Sequence, residues 1–211
     1  RIIKNRNMEK TIAKIISILF QPLFIPIYGV LLLANSPYLF MYNQYGKLFV
    51  LGAPVFFCCV LPLFIIIILY KKGKVNTLQI SDRKERFLPY LYTFLSASLL
   101  VVLYSFLRVP PFMIYLVLGL VFSLAVVMVV NTKWKISAHM SGIGGLTGAV
   151  FAITYYFHQN EMWLYIIVIF CAGLIAWSRL RLKAHTPWQL VAGFFVGVLF
   201  MGIYPLYNLD G

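Results

Sequence analysis

Two histidines stand in short polar passages of a chain that is otherwise apolar. One is His139, in KISAHMSGIGG (135–145), and the other is His185, in SRLRLKAHTPWQ (178–189). A neutral imidazole can attack phosphorus, and a protonated one can hand a proton to a departing oxygen. Arg179 stands six residues before His185, and KVNTLQISDRKERFLP (74–89) adds Arg83, Lys84 and Arg86. Guanidinium groups match phosphate oxygens in bidentate fashion and keep their charge. No carboxylate cluster accompanies the histidines. Asp82 and Glu85 lie among Arg83, Lys84 and Arg86 and are expected to pair with them. The chemistry expected is therefore phosphoryl transfer with no metal site and no cofactor. No phosphate-binding glycine loop, HExxH or cysteine metal spacing occurs. Taken singly, each histidine could equally be a polar residue at a membrane interface. Arg181 and Lys183 read as lipid-headgroup contacts or topology-setting charges.

The elements that must position these residues belong to a membrane. Of the 211 residues 62% are hydrophobic and 11% charged, with mean hydropathy +0.90; a soluble domain carries about 25% charged residues. The reading is an all-α, polytopic membrane bundle of about six to seven transmembrane helices, forming a single domain over 1–211 with a basic N-terminal tail over 1–14. Apolar stretches run at about 15–34, 48–70, 87–107, 110–130, 140–157, 162–178 and 188–207. The first holds Pro22 and Pro26, which membrane helices tolerate when neighbours satisfy the freed carbonyls. No cleavable signal peptide is read in the basic start. Cys58, Cys59 and Cys171 fall inside apolar stretches and read as buried, reduced packing residues.

The net charge of +13 reads as a membrane topology bias, with a phosphate site as the overlapping possibility, and not as a nucleic-acid surface. With seven crossings, all of the eighteen Lys and Arg except Lys47 and Arg108 gather on or beside one face, together with His139 and His185. This bias leans that face toward the cytoplasm. His158, in FHQN, falls on the other face as a solvated loop residue. Trp134, Trp177 and Trp188 fit an interfacial aromatic belt. Gly144 and Gly148 form one GxxxG, and Gly193 and Gly197 another. If these faces touch, the N-terminal ends of two helices lie together and His139 comes within reach of His185. Helix N-termini also favour an anion.

At these residues the chain resembles the type 2 phosphatidic acid phosphatase superfamily. That family's third motif, SRxxxxxHxxx(D), is met by Ser178, Arg179, His185 and, in place of Asp, Gln189. Its second motif, PSGH, is met by ISAH, which keeps Ser137 and His139 with Ala138 in place of Gly. Its first motif, KxxxxxxRP, is met only by arginines and a proline at other spacing: Gln79 stands where its Lys would be relative to Arg86, and Pro89 comes late. The resemblance implies a core like that family's and roles residue by residue. His185 would be the nucleophile, forming a phosphohistidine, and His139 would protonate the departing lipid oxygen. Arg179, Ser137 and the backbone near Ala138 would hold phosphate oxygens. Arg86, or Arg83 one turn earlier, would stand in for the first-motif arginine. Gln189 could orient His185, close a capping box with Thr186, or do both. The implied reaction is hydrolysis of a membrane lipid phosphomonoester or diphosphate, such as polyprenyl diphosphate, phosphatidylglycerol phosphate or phosphatidic acid. The alternative is a noncatalytic relative that binds or translocates lipid phosphates.

Overall fold

The computed structural model describes residues 2–34, 36–77, 80, 82–159 and 161–207, without side-chain detail for 2–6, 37 and 38. Gln79 lies outside the described residues. The helices are α1 (Ile2–Leu19), α2 (Ile25–Leu33), α3 (Gln44–Val55), α4 (Leu61–Lys71), α5 (Phe87–Phe106), α6 (Pro111–Lys133), α7 (Ala138–Tyr156), α8 (Met162–Arg181), α9 (Pro187–Val198) and α10 (Tyr204–Tyr207). The stretch expected as a basic tail is helical from Ile2. The chain breaks at Gln21, where an extended backbone precedes Pro22, so α1 and α2 are two pieces of one apolar run.

Six helical spans are long and apolar enough to cross a membrane: Asn7–Leu33, Gln44–Lys71, Lys84–Phe106, Pro111–Lys133, Met162–Arg181 and Pro187–Tyr207. The protein is an integral multi-pass membrane protein. The expected span at 140–157 is α7, and it is not among the six. Its glycines, serine and threonines lower its hydropathy, and most of its side chains are buried against other helices. It packs on α2, α8 and α9 inside the bundle and so has little need of a lipid-facing surface.

The prolines are accommodated by specific partners. Pro54 and Pro62 flank a π-helical turn at Phe56–Val60. Pro62 has no N–H to offer back along the helix, and the Ser96 hydroxyl on α5 donates to the Phe57 carbonyl instead. The Tyr104 hydroxyl likewise donates to the Val50 carbonyl at 2.7 Å, tying α5 to α3.

The packing of α7 on α9 sets the site. The two helices run parallel, with Gly193 against Ser137 and Gly197 against Ser141, and Gly202, in the π-helical turn Leu199–Ile203 that continues α9, lies against Gly148. A Cβ built on Gly144 would lie 2.1 Å from the Phe194 carbonyl oxygen, and one on Gly197 would lie 2.2 Å from that of Ser141. Only glycine permits backbones to approach this closely. The two GxxxG faces therefore meet, and the N-terminal ends of α7 and α9 lie together.

The described residues contain no strand or sheet. The fold that stands is an all-α bundle with six apolar membrane-length helices. The family-specific core implied by the resemblance is not retained; the comparisons with known proteins, given with the site, overturn it.

Candidate functional site

Helix α8 ends in a tight reversal. The Ala184 N–H returns to the Arg179 carbonyl at 3.0 Å, and Lys183 takes a left-handed conformation, φ 52°. This stops the helix and turns His185 inward before Thr186 and Pro187 start α9. His185 is buried, 8% exposed. Its Nδ1 lies 3.1 Å from the Lys135 carbonyl and 3.2 Å from Gln189 Oε1. Both partners only accept, so Nδ1 carries the hydrogen and Nε2 keeps its lone pair. The same Gln189 oxygen accepts from the Thr186 N–H at 3.1 Å. Gln189 thus caps α9 and orients His185 with one atom. Burial, together with the positive charges of Arg179 and Arg86, pushes His185 down to about 4, against the hydrogen bonds to Lys135 and Gln189. The imidazole is neutral near pH 7.

His139 faces a residue that the sequence reading missed. Its Nε2 lies 3.1 Å from the Ser17 carbonyl and 3.3 Å from the Ser17 hydroxyl. The carbonyl only accepts, so this nitrogen carries the hydrogen. Arg179 Nη1 donates to the same Ser17 hydroxyl at 2.7 Å, while Arg179 Nε is buried without a hydrogen-bond partner. Ser17 sits on α1, held against α8 by Ser178 Oγ donating to the Ala13 carbonyl and by the Arg181–Glu9 ion pair. No local motif marks Ser17; only the packing of α1 on α8 brings it to the site.

Arg86 is buried, 7% exposed, and its Nε donates to the Ile80 carbonyl at 3.0 Å. Tyr90, one turn further along, is hydrogen-bonded to it. Arg86, Arg179, His139, His185 and Ala138 line one cavity of about 280 Å³. No Asp or Glu is among the described residues that line it. From this polar end the cavity continues between α2, α6 and α7 along an apolar lining.

Two expected residues lie elsewhere. Arg83 does not line the cavity; its Nη1 donates to the Thr132 carbonyl at 2.8 Å, and its own carbonyl accepts from Asn131, pinning the 74–86 connection to the end of α6. Ser137 is fully buried and caps α7, its hydroxyl accepting from the Met140 N–H at 3.4 Å. It does not face the cavity. The carboxylates expected as arginine partners make other contacts: Glu85 accepts from the backbone N–H and the side-chain amide of Asn76, and Asp82 from the Lys84 N–H. Among the described residues no group of three or more His, Cys, Asp or Glu is placed to share a metal ion. The three cysteines are free thiols, and His158 is exposed.

Compared with known proteins, the chain matches no family model, no curated protein and no solved structure. Membership of the type 2 phosphatidic acid phosphatase superfamily is therefore withdrawn, and with it the phosphatase and phosphohistidine labels carried over from that family. What remains is a helical membrane protein in which two histidines and two arginines meet at one end of an apolar cavity.

Proposed function

We propose that the cavity takes up the phosphate-bearing head of a membrane lipid and that the chain hydrolyses its phosphomonoester or diphosphate bond. The observation that carries this reading is Arg179: a partly buried guanidinium with one neutral partner and a free Nε, beside a second arginine, in a cavity with no carboxylate among the described residues that line it. Buried charge requires compensation, and a phosphate head would supply it. His185 supports the chemical step. Its Nε2 lone pair takes a proton from a water as that water attacks phosphorus, the bond from phosphorus to the lipid oxygen breaks, and the proton passes on to the departing oxygen. The guanidiniums carry the charge that develops on the equatorial oxygens. In this proposal the polar end faces the cytoplasm of a bacterial inner membrane, a side supported by the distribution of Lys and Arg.

A second reading, binding or translocation without hydrolysis, is favoured by His139. Its Nε2 hydrogen is committed to Ser17, so it is not poised as a proton donor until α1 shifts. The two readings separate in one assay. Purified protein in vesicles is given lipid phosphates, and inorganic phosphate is measured with and without EDTA. Hydrolysis predicts EDTA-insensitive release that Arg179→Ala lowers at least a hundredfold in kcat/KM. Saturable binding without release supports the second reading, and Arg179→Ala binding as tightly as wild type removes both.

A further inference from the structure

The polar end is one part of the cavity. Helix α7 contributes lining from Ala138 to Ile153, a length of about 22 Å at the helical rise. Helix α6 lines it in the opposite direction, from Val127 to Met113. That depth is most of a bilayer's hydrocarbon core, about 30 Å thick. The far end is closed by Leu33, Met113 and Ile153, each buried, at 6%, 2% and 5% exposure. A volume of about 280 Å³ drawn out over this length makes an elongated passage, along which an extended hydrocarbon chain can follow α6 and α7.

We propose that the ligand is a single-chain lipid phosphate whose chain threads the interior of the bundle from Arg179 to the floor at Leu33, Met113 and Ile153. The proposal rests on the phosphate reading of the polar end and narrows the substrate class. A chain inside the cavity is removed from the bilayer at little cost, because its surroundings are apolar in both places. The cationic end fixes the head, and the closed floor limits chain length.

Gly29 on α2 offers a direct handle. It lines the cavity, and a Cβ there would meet only Leu146 Cδ1, at 3.9 Å. A larger side chain can grow into the lumen without striking backbone. Leu146 lies eight residues beyond Ala138, about 12 Å down the passage. Gly29→Leu should therefore obstruct a long chain and spare a short one.

The experiment uses the full chain in vesicles and two probes with the same long single chain, photoreactive at its tail end. One is a monoalkyl phosphate and the other the matching alcohol. The phosphate probe is expected to label Leu33, Met113 or Ile153. Gly29→Leu is expected to cut that labelling at least tenfold, with short-chain alkyl phosphate still bound as by wild type. Gly29→Ala, at ordinary contact distance, should keep full labelling. Label confined to outward-facing residues such as Phe106 or Ile166 overturns the proposal, as does undiminished floor labelling in Gly29→Leu. Equal floor labelling by a diacyl phosphatidate tagged on either chain overturns the single-chain assignment. Equal floor labelling by alcohol and phosphate probes upholds the threaded chain and overturns the phosphate reading of the polar end.

Discussion

The reactivity of His185 is set by two acceptors on Nδ1 and by its burial. Lys135 and Gln189 offer carbonyl oxygens and no negative charge. The imidazole is thus oriented, but its charged form is not stabilised as a carboxylate would stabilise it. The folded-state value, about 4, lies below the ordinary 6.5. Between those limits the unfolded chain binds a proton that the folded chain refuses. Stability should accordingly fall as pH drops from 6.5 toward 4, with no further loss from this group below that. In ¹⁵N-histidine spectra His185 should be the Nδ1–H tautomer at pH 7 and titrate near 4. Gln189→Glu keeps the oxygen that accepts from Thr186 and adds charge beside the ring, so the midpoint should rise by at least one pH unit. An Nε2–H tautomer, or a midpoint that Gln189→Glu leaves in place, would remove Gln189 from the orienting role. The spacing of His185 and Gln189 was readable in the sequence. Whether Gln189 caps or orients was not, because one oxygen serves both N–H groups and only coordinates can place it between them.

At the scale of elements, the contact of α7 with α9 determines whether a site exists at all. It is also the feature most legible in the sequence, since two GxxxG patterns encode a backbone approach directly. Gly197→Ala would drive a methyl against the Ser141 carbonyl and the Gly145 nitrogen, at 2.2 and 2.3 Å. Neither is a flexible side chain, so the helices must separate, at a cost of about 1–3 kcal/mol. Gly173 on α8 has nothing within 4 Å of a built Cβ. Thermal unfolding in detergent should place Gly197→Ala well below wild type and Gly173→Ala beside it; equal midpoints would contradict the packing account. Other elements were less legible. Arg83 and Arg86 share a helical spacing, and the turn at Lys84–Arg86 decides that only Arg86 enters the cavity. Ser17 carries no sequence signal, because its role depends on a helix more than one hundred residues away in the chain. Seven crossings were read where six helices have spanning composition, because α7 is shielded from lipid by its neighbours.

For the molecule as a whole, the connections bearing Arg86, Lys135 and His185 gather at one end, as the distribution of charge suggested. The proposed cytoplasmic side is testable without any assumption about chemistry. In a background lacking Cys58, Cys59 and Cys171, Lys133→Cys and Tyr45→Cys place single thiols at exposed positions on opposite ends of the spans. Tyr45→Cys should react with an impermeant reagent in intact cells and Lys133→Cys only after permeabilisation; the reverse pattern would put the polar end outside. The central claim joins this architecture to a reaction: an apolar passage delivers a lipid phosphate to a neutral, oriented His185. It is tested most directly by measuring phosphate release from a single-chain lipid phosphate by wild-type and His185→Ala protein in the same vesicles, with matched folding and matched lipid binding. The account predicts release by wild type and a loss of at least a thousandfold in His185→Ala with binding retained. Equal release by the two proteins, or none by wild type despite tight binding, would contradict it.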